Sequence, residues 1–178
     1  MTTPDFGKLL AEAISVASQR AELVKQQQAE LEAAKRSKAD RVAENKSRAT
    51  GFQHDHLDKL FGETFRACTA QGYRFVGHCI DEEGPDQGTT GNRLTTGQTT
   101  EVAATIYYSA ERFLLGVLAK TDDYQWPLYH ETLEVGVTHF SDEAALAWFQ
   151  KHIPAAVGML IEHSAVTKSP PTSFGRGL

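Results

Sequence analysis

Residues 99–109 read TTEVAATIYYS, and residues 112–120 read RFLLGVLAK. In the first stretch Val102, Ala104, Ile106 and Tyr108 alternate with Thr, Glu and Ala, which is the two-residue period of a half-buried strand. Only Ala110 and Glu111 separate it from the second stretch, so the two form a hairpin. Working outward, residues 73–80 read as a strand, and 129–140 as another with Leu133, Val135 and Val137 on its buried side. Between the first two strands, residues 81–97 are so polar and glycine-rich that they are expected to form a loop. Short connections leave no room for parallel crossovers, so the strands should make an antiparallel meander of four.

A helix is expected on each side of this sheet. Before it, Leu57, Leu60, Phe61, Phe65 and Cys68 follow helical spacing, and Gly72 stands where a C-terminal cap belongs. After it, Ser141, Asp142 and Glu143 supply a cap and an acidic first turn, and Leu146, Phe149, Ile153, Val157, Leu160 and Ile161 supply an apolar face. Pro154 should kink or split that helix, because it lacks an amide donor. The fold class is therefore α+β: a long N-terminal helix, then a four-stranded antiparallel meander packed by two helices. Its domains are expected at 1–50 (helix), 51–167 (compact domain) and 168–178 (flexible tail).

The N-terminal helix should start at Thr3-Pro4-Asp5 and meet no breaker before Gly51, reaching about 70 Å at 1.5 Å per residue. A helix of that length needs a partner for any apolar stripe it carries. Leu10, Ile14, Ala17, Ala21, Val24, Gln28 and Leu31 follow the alternating four-and-three spacing of a coiled-coil seam, with Gln28 its one polar member. The same register continued meets Lys35, Lys38, Val42 and Asn45, and the seam is expected to end there. The seam points to self-association or docking on a protein partner; packing against the chain's own compact domain is the alternative expectation. Beyond Leu31, the cations Lys35, Arg36, Lys38, Arg41, Lys46 and Arg48 form a possible nucleic-acid contact. No aromatic residue interleaves them for base stacking, so a solvated helix with pairs Glu32–Arg36 and Glu44–Arg48 is the expected state.

Charge supports that preference. The first fifty residues hold nine Lys/Arg against seven Asp/Glu, and the remainder nine against sixteen, so the acidic body should repel nucleic acid. Two cysteines without zinc-type or disulfide spacing, no leader-like N-terminus and no long apolar run lead us to expect a cytoplasmic protein with no membrane contact.

Candidate chemistry is sparse. His54-Asp55-His56 is the sole metal-like stretch, with His78, His130, His139, His152 and His163 as conceivable further ligands; no metal and no cofactor is expected. His78 and Cys79 must point to opposite faces of a strand, and Cys79 is expected to be a small core residue. The carboxylates of Asp81, Glu82, Glu83 and Asp86 lack calcium-loop spacing, since Asn92 stands where the final Glu belongs. Gly88, Gly91 and Gly97 are not followed by the Lys-Ser/Thr of a phosphate loop. With no catalytic residue set found, the reading is a non-enzymatic interaction module or adaptor. A nucleic-acid-associated regulator and a small metal-dependent enzyme are the alternatives.

Overall fold

A computed structural model of the chain describes residues 6–96, 100–121 and 126–167. The expected helix start at Thr3-Pro4-Asp5, Gly97 at the end of the expected loop and the tail from Lys168 lie outside the described residues. The chain divides into two compact units, residues 1–40 and residues 41–178, so the division falls earlier than the boundary at residue 50 suggested by composition.

Helix α1 runs Phe6–Phe52, passes into a π-helical turn Gln53–Leu57, and continues as α2, Asp58–Ala70. Gly51 does not end the helix. A glycine stops a helix by taking a positive φ, and among the described residues only Gly72 does so, at 85°. There the stop is complete: Gly72 N–H donates to Thr69 O (2.9 Å) and Tyr73 N–H reaches back to Cys68 O (3.0 Å), which satisfies the last carbonyls of α2. The extra residue of the π-helical turn lets Phe52, Gln53 and Leu57 all be buried.

The sheet has five strands, not four: β1 Val76–Glu83, β2 Gln87–Thr96, β3 Thr100–Ser109, β4 Arg112–Lys120 and β5 Tyr129–Gly136. They lie in sequence order, each antiparallel to the next. The additional strand is β2, drawn from the stretch expected to be a loop. Its residues QGTTGNRLTT have little strand propensity, but pairing to β1 on one side and β3 on the other supplies what propensity does not. The β3–β4 hairpin matches its sequence pattern, with Ile106 opposite Leu115 and Tyr108 opposite Phe113. On β5, Leu133 and Val135 stand opposite Leu115 and Phe113, but this is an edge strand, and Leu133 keeps 38% of its surface exposed. Val137 lies beyond the strand, where the amides of His139 and Phe140 turn back onto Gly136 O.

Helix α3, Asp142–Thr167, covers β3, β4 and β5, while α2 and the π-helical turn cover β2. Ser141 caps α3 by accepting from Ala144 N–H at 3.2 Å. The helix is not split at Pro154, whose side chain is exposed so that the missing donor falls on the solvent side. Between these layers Phe52, Leu57, Ile106, Phe113, Leu115, Phe149, Ile153 and Leu160 form the core; burying each contributes about 1.5–3 kcal/mol. Phe65, expected inside, keeps 38% of its surface exposed.

Two glycines should respond to the same substitution with opposite sign. A Cβ at Gly62, inside α2, meets nothing within 4 Å, so Gly62→Ala should raise stability by about 0.5–1 kcal/mol. A Cβ at Gly91 would overlap the Ala104 carbonyl oxygen and stand 2.9 Å from Thr105 Cα, so Gly91→Ala should cost about 1–3 kcal/mol. Urea unfolding of both variants beside the parent checks the pair of signs.

Candidate functional site

The first unit carries the seam. Leu10, Ile14, Val24 and Leu31 each keep at least half of their surface exposed, and Ala17, Ala21 and Gln28 are exposed with them. Their spacing keeps them on one stripe of α1. Around it Lys25 pairs with Glu22 at 3.0 Å and Lys35 with Glu32 at 3.2 Å, each pair three residues apart on the helix. Glu32 thus takes Lys35 in place of the expected Arg36.

The six cations of the basic stretch do not share one environment. Arg36 and Arg41 are exposed. Lys46 donates to the Glu83 carboxylate at 2.6 Å, and that hydrogen bond holds its ammonium above the ordinary lysine pKa. Arg48 is further engaged: its guanidinium donates to Val137 O and Phe140 O, both at 3.1 Å, and lies over the rings of Phe113 and Phe140 at 5.3 and 5.4 Å. The guanidinium fork closes the turn that follows β5, instead of pairing with Glu44. Val42, Asn45, Ala49 and Phe52 beside it are buried, so the same four-and-three register is apolar-facing again beyond the point where the seam was expected to end.

In the second unit the side chains that carry chemistry gather at the π-helical turn and β2. Gln53 is 97% buried; its amide donates to Gly91 O at 2.8 Å and accepts from the Thr90 hydroxyl. One turn on, Asp58 accepts from Asn92 Nδ2 at 2.8 Å through one carboxylate oxygen and meets His54 Nδ1 at 3.0 Å through the other. Because a carboxylate only accepts, the Asn92 amide must turn its nitrogen to Asp58, which leaves its Oδ1 buried and unpartnered among the described residues. Asp58, Asn92, Cys79, Phe61, Phe65 and Leu94 border a hollow of about 360 Å³ between α2 and the first two strands. Sequence reasoning missed Gln53, Asp58 and Asn92. The available signal was Gln53 standing one helical turn before Leu57 on an otherwise apolar stripe.

The histidines separate. His54 is held by Asp58, His56 rests on the Phe52 ring at 4.9 Å, and His152 Nδ1 meets the Tyr129 hydroxyl at 2.5 Å while its ring stacks on Trp148. Burial, with Glu131 adding to it, pushes the Tyr129 phenol up. Among the described residues no three His, Cys, Asp or Glu side chains converge as a metal site would require. Cys79, expected in the core, is exposed on the edge strand; Cys68 is buried, and burial pushes its thiol up. On the opposite face of the sheet Tyr107, Leu114 and Leu118 line a trough of about 380 Å³ with Arg93, Thr105 and His130. No helix among the described residues is long and apolar enough to cross a membrane.

No family model, no curated protein and no solved structure matches the chain.

Arg48→Ala should lower stability by about 2 kcal/mol, because it removes two charge-assisted hydrogen bonds and the cover over two rings. An exposed cation waiting for phosphate would give a change within about 0.5 kcal/mol in the same unfolding experiment. The thiols should also differ. Iodoacetamide at neutral pH should label Cys79 in the native protein and Cys68 only after denaturation, as peptide mapping would read.

Proposed function

We propose that this chain is a non-enzymatic interaction protein. Its N-terminal helix associates with a macromolecular partner, a second copy of the chain foremost, and the α+β unit is the module so presented. The observation that carries this reading is the exposure of Leu10, Ile14, Val24 and Leu31 on one stripe of α1. Apolar side chains repeating at four and three residues are held in water only at a free-energy cost, and their burial against another helix is worth on the order of 1 kcal/mol each. Ala17 and Ala21 at the centre make the contact close and thin, which favours a reversible association over a hyperstable one.

Two further features support the reading. His54 is engaged with Asp58, His56 with the Phe52 ring and Asp142, and His152 with Tyr129 and Trp148, so these three side chains serve separate local contacts. Lys46 and Arg48 serve contacts within the second unit, which removes two of six cations from a nucleic-acid stripe. Two unpaired cysteines suit a reducing cytoplasm.

Replacing Ile14 and Val24 together by Asp should lower the sedimentation mass toward that of one chain and expose the first unit to protease. The unfolding midpoint of the second unit should stay put, since its core uses none of these residues. Unchanged mass and unchanged protection in that variant would overturn the proposal.

A further inference from the structure

Granting the self-association just proposed, we infer that the seam pairs with a second copy of this chain in antiparallel orientation. Side-chain size decides the direction. In a parallel pair each seam residue meets its own counterpart, so Ala17 faces Ala17 and Ala21 faces Ala21 in two successive layers. Four methyl groups would then have to fill a space bounded by Ile14 layers on one side and Val24 layers on the other, which leaves a void or forces the helices to pinch. Reversing one helix places Ala21 opposite Val24 of the second copy, Ala17 opposite Gln28, and Ile14 opposite Leu31. Every alanine then meets a larger side chain, and no layer is left with two alanines.

Charge points the same way. The residues flanking the seam include Arg20, just before Ala21, and Lys25, just after Val24. In a parallel pair these are the flanking positions that meet across the interface, so two Arg–Lys repulsions would be built in. The antiparallel pair sets Arg20 against Gln27 and Lys25 against Ser18 instead. Lys25 remains satisfied by Glu22 of its own helix. The parallel arrangement would gain a Leu10–Leu10 layer, whereas the antiparallel one puts Leu10 against Lys35. That loss is small, because the methylene stem of Lys35 can lie over Leu10 while its ammonium stays with Glu32. Gln28, awkward as a facing pair in a dry layer, finds beside Ala17 the room to turn its amide to solvent.

The test is disulfide trapping in the full chain with Cys79→Ser, leaving Cys68 buried. Ala17→Cys and Gln28→Cys are made separately, one of them with a tag that shifts its mass. Mild oxidation of the mixture should give a cross-linked band containing both variants, and that band should be lost when either is oxidised alone. A band from Ala17→Cys by itself, with the parent dimeric by sedimentation, would overturn the orientation while leaving self-association intact. A parent that sediments as one chain and gives no cross-link in any mixture would overturn both. Urea unfolding of each variant checks that the second unit is unchanged, since Ala17 and Gln28 are exposed and outside its core.

Discussion

The second unit depends on one buried amide. Gln53 satisfies the carbonyl of Gly91 and the hydroxyl of Thr90 at once, while the missing side chain at Gly91 lets β2 lie close against the β3 backbone at Ala104 and Thr105. A polar group this deep costs a few kcal/mol if left unpaired, so the helix and β2 are registered against each other by the penalty for any other alignment, of order 1–3 kcal/mol. Fixing β2 fixes its neighbours. β1 pairs along one side and β3 along the other, and the apolar β3–β4 hairpin is thereby held beneath α3.

The covered face of the sheet is accordingly two surfaces in one. Under α3 it is made of Val102, Ile106, Phe113, Leu115 and Val117, all fully buried, and packing density holds it together. Under the π-helical turn it is made of Thr90, Gly91 and Asn92, and directional bonds hold it to Gln53 and Asp58. Arg48 spans the two regimes, with its plane on aromatic rings and its fork on main-chain carbonyls. Specific alignment comes from the polar half, and most of the burial comes from the apolar half.

That division explains which parts of the architecture were legible. The β3–β4 hairpin, the Gly72 cap and the Ser141 cap follow from patterns local in sequence, and each stands where those patterns put it. Strand β2 was illegible because the side chains that satisfy its covered face, Gln53 and Asp58, lie 34 to 38 residues away in sequence, so that Thr, Gly and Asn looked like solvent-facing loop residues. Gly51 read as a stop because composition records a glycine but not its φ. Arg48 read as a surface cation because Lys35, Lys38 and Asn45 made the seam's register look spent, whereas Val42, Asn45, Ala49 and Phe52 continue that register and are buried. Of the candidate sites, the exposed stripe from Leu10 to Leu31 was visible in the spacing; the Gln53–Asp58–Asn92 group was not, since Asn92 lies 34 residues from Asp58 and only Gln53, one turn before Leu57, marked a stripe position.

The strict sequence order of the five strands bears on how the chain acquires its fold. Each strand pairs with the next one in sequence, so the sheet can zip from neighbouring strands with little loop entropy to overcome. The layer that seals β3 and β4, however, is α3, which is made after all five strands. Until it emerges, Phe113, Leu115 and Val117 form an apolar shelf open to solvent, and Phe149 and Ile153 are the side chains that close it. The nascent chain therefore passes through a stage in which its secondary structure is nearly complete and its hydrophobic interior is not, and this is the state that chaperones or neighbouring chains would meet.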